Sequence, residues 1–274
     1  MKTILANGTT YKMGRNPVVA MGPHFRLRNY LKLGIPAPPA SVNYASPAQA
    51  ELGNIYLNDS LGDCVIACLG HLGGVFLGNA GGKLYLTSDQ IISLYSAIGG
   101  YIPGDPNSDQ GADVQTAMNY WMRHGLLPGQ KYPHKIKAWM SVDPTNVQEM
   151  QTAIWLFENL VFGLNLPDAW VNPFPSANGF VWDVAGAPDQ NNGHCICGVG
   201  FGSSGYSHKG IEIATWGMLG NLTYDAIAKY LPHSAGGELY CVLSQEILDK
   251  AKLTAPAGIS WDQLQADFAS MGVA

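Results

Sequence analysis

Residues 58–77 read NDSLGDCVIACLGHLGGVFL, and the rest of the chain is best interpreted outward from them. From Cys64 onward apolar residues recur at helical spacing. Asp63, of a residue type that accepts hydrogen bonds from free first-turn amides, stands where an N-cap belongs. The pattern predicts a buried helix from Cys64 to about Leu77, with the cysteine in its first turn. A thiol placed there feels the positive end of the helix dipole and lies beside exposed backbone N–H groups. Both favour a thiolate, and the N–H groups supply donors for a developing oxyanion. The neighbouring Asp63 carboxylate acts the other way, so ionisation of Cys64 requires a cationic partner. His194 is the candidate, because it opens a predicted strand after a Gly-rich loop and so can be presented to a cleft.

With 274 residues, 47% of them hydrophobic, the chain has ample material for a core in one large domain or two small ones. Only 13% of residues are charged and the net charge is −5, so no basic stripe exists for nucleic acid or an anionic membrane, and neither partner is expected. The apolar run before Asn7-Gly8 is too short for a signal-peptide core, and no later run reaches membrane-spanning length. Cys64, Cys68, Cys195, Cys197 and Cys241 make an odd count without a dense secreted-type framework. A soluble protein with reduced thiols, cytoplasmic or phage-associated, is therefore expected. Cys64, Cys68 and His71 fall at helical spacing and raise the question of zinc. A paired CxxC is missing, however, and Cys195 and Cys197 alternate along a predicted strand, so neither metal nor cofactor is expected.

The first half is predicted to be mainly helical, with further helices at 87–98, opened by a Thr/Ser cap, and at 111–124, stopped by Gly125. Before them, residues 1–35 and the proline-rich IPAPPAS at 35–41 suggest an extended lead-in. In the second half, a helix at 145–159 precedes strands at 160–167, 194–201, 210–216 and 238–244, with a turn GSSGYSHK at 202–209. Between them, residues 168–193 form a long loop whose Trp170, Phe174, Phe180 and Trp182 either line a cleft or seal the core. A helical half followed by an antiparallel half gives an α+β fold in two lobes.

Taken together, Asn58 six residues before Cys64, His194 130 residues after it, and Ala214-Thr215-Trp216-Gly217 beyond resemble the papain-like cysteine peptidases. A separation of about 130–150 residues between Cys and His is usual in that family. PASVNY at 39–44 is similar to the start of its mature enzymes, and residues 147–167 are similar to the segment that crosses into its β half. The resemblance spans roughly residues 36–247. It implies a two-lobed fold whose central helix starts at the cysteine, with an antiparallel sheet or barrel as the second half. The corresponding units are an extension at 1–35, a papain-like domain at 36–250 (helical lobe about 45–140, β lobe about 141–247) and a C-terminal segment at 251–274. The implied activity is hydrolysis of a peptide or amide bond in a peptide or protein substrate, with Cys64 as nucleophile, His194 as general base and Asn58 as oxyanion donor.

Three departures from that family's pattern bear on mechanism. Asn58 is one methylene shorter than the family's Gln. Ala214 stands where the family has an Asn that orients the histidine. Strand alternation places Glu212, Ala214 and Trp216 on one face and Thr215 on the other unless a bulge intervenes, which leaves Glu212 as the candidate third residue. Trp216 is expected to shield the Cys–His pair. Residues 1–35 are too few for the family's usual inhibitory prosegment, so restraint is expected from narrow specificity, compartment or a partner. Two alternatives remain open at this stage: a papain-like fold without catalysis, acting as a structural or binding component with an assembly partner such as a phage particle, and a cell-wall amidase.

Overall fold

The computed structural model describes residues 2–6, 8–18, 25–202, 209–250 and 259–270. His24, most of the turn expected at 202–209 and much of the 251–274 segment lie outside the described residues.

The first half of the chain carries four helices: α1 (Gln49–Leu52), α2 (Cys64–Asn79), α3 (Ser88–Gly99) and α4 (Val114–His124). Every residue of α2 from Cys64 to Phe76 is buried, as expected for a helix that is apolar on all sides. Burial of Val65, Ile66, Leu69, Leu72, Val75 and Phe76 contributes roughly 1.5–3 kcal/mol for each side chain. The helix ends follow local chemistry. Thr87 and Gln90 form a reciprocal capping box at the start of α3, Asp113 caps α4 and Gly125 closes it. Asp63 does occupy the N-cap position of α2, but its side chain makes no capping hydrogen bond, contrary to the sequence expectation.

A hairpin of β1 (Thr3–Ala6) and β2 (Thr9–Lys12) stands apart at the N-terminus. The large sheet comprises β3 (Val42–Asn43), β4 (Ile136–Ser141), β5 (Leu160–Asn165), β6 (Phe180–Trp182), β7 (Gly193–Phe201), β8 (Gly210–Thr215), β9 (Met218–Thr223) and β10 (Glu238–Ser244). Its order is β4-β10-β5-β7-β8-β9-β6, with β3 added beside β7, and every pairing is antiparallel except β6 with β9. The barrel alternative is corrected here: among the described residues β4 and β6 are the two ends of the path and do not pair. Closure would need those ends to meet in register, and β6 is only three residues long.

Strands β5 and β7 are buried along their whole length. Alternate residues feed two cores. Val161, Cys195, Cys197 and Val199 face the α2 side. Leu160, Phe162, Leu164 and Ile196 join α5 (Val147–Phe157) and α6 (Tyr224–Tyr230) on the other. Two shorter helices, α7 (Gln245–Lys250) and α8 (Trp261–Ser270), complete the described chain. This arrangement brings the N-terminus of α2 against the start of β7, one residue from His194.

Candidate active site

The loop before α2 is held in a fixed path. Tyr56 and Leu57 adopt left-handed backbone angles (φ 51° and 68°), and the amide of Gly62 donates to Asp109 Oδ1 at 2.9 Å. Asp109 also accepts from the Tyr95 hydroxyl at 2.7 Å and pairs with Lys12 Nζ at 2.9 Å. Burial raises its pKa, but these hydrogen bonds outweigh burial and leave a carboxyl held below its usual range. The loop delivers a buried Asn58, a buried Asp63 and the Cys64 thiol, which is 1% exposed.

Burial is the main reason the Cys64 thiol is pushed far above its ordinary pKa, and the charges of Cys195 and Asp63 add to it. Amide N–H groups of Cys195 and Gly14 oppose this without reversing it. Asp63 itself is driven well up by burial, then by the nearby carboxyls of Asp109 and Asp59. Both of its oxygens are buried without a direct hydrogen-bond partner. The dipole argument for a resting thiolate is thus overridden by desolvation.

His194 opens β7 and is also 1% exposed. Its Nε2 lies 2.7 Å from Thr215 Oγ1, while Nδ1 has no hydrogen-bond partner, so the Cys64 thiol is not bonded to it. Burial lowers its pKa to about 3, which makes the ring neutral. The Trp216 indole stacks on the imidazole at 4.1 Å and 20°, the shielding position expected for it. Trp170, Trp182 and Phe174 pack behind that indole: Trp170 stacks on Trp182 at 4.9 Å, Trp182 meets Trp216 edge-on, and Phe174 lies 4.8 Å from Trp216.

Glu212 does not meet His194. It pairs across the ladder with Gly200, six residues along β7 from His194, and its Oε2 accepts from Asn43. Thr215 is the side chain that meets His194 Nε2 instead. Antiparallel pairing sets Ala214 opposite Cys197, which puts Thr215 on the face that carries Ile196 and His194. Strand geometry ends immediately afterwards, because Trp216 turns left-handed (φ 49°) before Gly217 (φ 73°) and swings its indole back over the imidazole. The sequence signal for this was the Trp-Gly pair, which marks a turn and not a continuing strand.

His71 Nε2 donates to the Asn54 carbonyl (2.7 Å), and the five cysteines are all free and buried. Among the described residues no group of three or more metal-binding side chains converges. The Cys197 thiol is held below its ordinary range, chiefly through a hydrogen bond from Cys68, with His71 assisting.

What lies over the Cys64 thiol is the chain's own N-terminal segment. Residues 12–16 run as a strap between the α2 loop, Ala112 and Gly193. Lys12 N donates to Asn58 O (3.0 Å), Ala112 N to Gly14 O (2.8 Å) and Asn16 N to Ala112 O (2.9 Å), while Gly14 N and Arg15 N both reach Gly193 O (3.2 and 3.1 Å). Asn58 Nδ2 donates to the strap carbonyl of Lys12 at 3.1 Å and to Leu61 O at 3.0 Å. Gly14 lies against the Gly62 carbonyl so closely that a side chain there would overlap it. The sequence expectation is that residues 1–35 are too few for the family's usual inhibitory prosegment; five of them, 12–16, lie against the α2 loop and Gly193.

No family model matches this sequence, and no curated protein matches it. Among solved structures, the chain is similar to xylellain, a cysteine protease from Xylella fastidiosa, at 15% identity and TM-score 0.62, covering 89% of this chain and 98% of that one. It is similar to procathepsin B S9 from Trypanosoma congolense at 11% identity and TM-score 0.54, covering 85% and 87%. It is also similar to the proform of the ragweed pollen cysteine protease Amb a 11 at 15% identity and TM-score 0.53, covering 77% and 67%. The chain has the papain-like fold.

Proposed function

We propose that this papain-like chain is a latent cysteine peptidase or related amidohydrolase in which Cys64 and His194 work once the strap has left. The observation that carries this reading is how the strap is held. An extended backbone already lies across the α2 terminus, with an Asn58 amide proton on one of its carbonyl oxygens and the Gly14 amide at the Cys64 thiol. A peptide substrate needs the same surroundings.

When the strap departs, water and substrate replace it, and the desolvation that keeps thiol and imidazole neutral is relieved. The Cys64 proton passes to His194, and the thiolate attacks the peptide carbonyl carbon. Negative charge on the carbonyl oxygen is met by Asn58 Nδ2 and the Cys64 amide at the helix terminus. His194 then returns its proton to the leaving nitrogen as the C–N bond breaks, and a water that it deprotonates releases the acyl group from sulfur. Thr215 holds the imidazole through Nε2, leaving Nδ1 for the exchange with sulfur.

The test is cleavage of a mixed peptide library by a strap-displaced chain, together with covalent capture by a peptidyl epoxide. Cleavage that disappears in Cys64→Ala, and an adduct on Cys64, are expected. No cleavage and no adduct would refute the reading. The absence of a thiol–imidazole hydrogen bond favours a second reading, a papain-like binding protein without catalysis; in that case Cys64→Ala leaves the biological role intact.

A further inference from the structure

The side chain of Arg15 is fully enclosed, and three of its nitrogens each meet a different acceptor. Nε donates to Glu238 Oε1 at 2.9 Å, one terminal nitrogen to Asn165 Oδ1 at 3.2 Å, and the other to the Gly236 carbonyl at 2.8 Å. The register of the sheet builds this pocket. Glu238 on β10 stands opposite Gly163 on β5, and Asn165 on β5 stands opposite Gly193 on β7. A Cβ at Gly163 would come to 2.5 Å from Glu238 Oε1 and 2.8 Å from Arg15 Nε, so the guanidinium reaches the carboxylate only because that position has no side chain. The carboxylate is aimed from behind: the Tyr240 hydroxyl donates to Glu238 Oε2 at 3.0 Å and itself accepts from Gln115 Nε2 at 2.7 Å.

Apart from the Lys12–Asp109 ion pair and the buried Met13 side chain, the remaining grip on the strap is bonding of its main chain to Asn58, Ala112 and Gly193, which an extended peptide can reproduce. The contrast with Lys12 is informative. Its ammonium meets Asp109 at the surface, with the lysine side chain 27% exposed, whereas Arg15 is read on every side. Gly14, the residue at the Cys64 thiol, is the immediate neighbour of Arg15, so the pocket lies one residue along from that thiol.

We propose that this pocket is the specificity pocket of the cleft and takes the arginine side chain of an incoming peptide after the strap leaves. A planar fork of donors matches three acceptors spread around its edge; a lysine ammonium, with one nitrogen, does not. An apolar side chain would leave the Glu238 carboxylate buried without a cation. The substrates of the site are then arginine-containing peptides. This assignment deepens the hydrolase reading, but the binding step stands without it.

The experiment uses the full chain carrying Cys64→Ala, to prevent turnover, with Gly14→Val and Arg15→Ala, to expel the strap and empty the pocket. The probe is the synthetic peptide TYKMGRNPV, the sequence of residues 10–18, and versions with lysine, citrulline or norleucine in place of arginine. Calorimetry should show the arginine peptide binding at least tenfold more tightly than each of the others, and Glu238→Gln should abolish the difference. Equal affinity for all four peptides would overturn the proposal, as would an arginine preference that survives Glu238→Gln. Arg15→Met, which keeps the packing of the aliphatic stem, replaces Arg15→Ala where the latter fails to fold. Selective binding without hydrolysis by the Cys64-containing chain would refute the peptidase reading and leave the pocket intact. Hydrolysis without arginine preference would do the reverse.

Discussion

His194 Nε2 sits 2.7 Å from Thr215 Oγ1, and this contact holds the ring in the place where the related fold uses an amide side chain. The hydroxyl both donates and accepts, so it fixes ring position without dictating the tautomer as an amide oxygen would. Replacing Thr215 by Val keeps the shape and leaves Nε2 buried without a partner. The expected loss is about 1–3 kcal/mol of stability in urea unfolding, with a larger fall in kcat than in 1/KM for the strap-displaced enzyme. Thr215→Ser should retain most of both. Unchanged kcat in Thr215→Val would mean that the hydroxyl does not position the base.

Gly14→Val should open the site. Its side chain would meet the Gly62 carbonyl, so the strap must leave its track. Iodoacetamide labelling of Cys64, slow in the parent chain because the thiol is buried and protonated, is expected to speed up at least tenfold while Cys241 stays unreactive. Mass mapping of the labelled cysteines decides it, and equal slow labelling of both chains counts against the strap as the barrier.

Acid should destabilise the closed form. His194 has a folded pKa of about 3, lowered by burial from 6.5, so between these values the unfolded chain binds the extra proton and the folded chain does not. Its contribution is fully present above pH 6.5 and is lost as pH falls toward 3, at a slope approaching about 1.4 kcal/mol per pH unit. Denaturant titrations of the parent chain and His194→Gln across that window should differ in slope. Parallel curves would argue against a neutral buried imidazole.

Asn58→Ala removes the donor that now holds the Lys12 carbonyl. In a strap-displaced background, kcat should drop about 10²–10³-fold with little change in KM, the signature of a donor that acts mainly in the transition state. A change confined to KM would place Asn58 in ground-state binding.

Much of the architecture was legible from periodicity and caps. The α2 helix, the Thr87 start, and the β5, β7, β8 and β10 strands follow from local patterns that burial reinforces, whereas α4 begins at Val114, three residues after the expected start at 111. β9 escaped because Gly220 and Asn221 interrupt an otherwise apolar run, and their pairing with β8 supplies what propensity lacks. The papain-like fold was legible from the order of Asn58, Cys64, His194 and Trp216. Thr215 was not, since its orientation depends on where a ladder ends. Nor were Gly14 and Arg15: nothing in KMGRN marks a segment whose partners lie about 50 to 220 residues away, and long-range pairing of that kind leaves no periodic trace.

Because the strap belongs to the same molecule as the cleft it fills, its hold does not weaken on dilution. A tethered segment competes at an effective concentration on the order of millimolar, however little protein is in solution. A free peptide making identical contacts therefore has to exceed that level, or bind better than KMGRN does, before the thiol meets it. The proposed latency is in this sense a threshold on ligand concentration, with its height set by the length of chain between Asn16 and Arg26, which bridges Ser141.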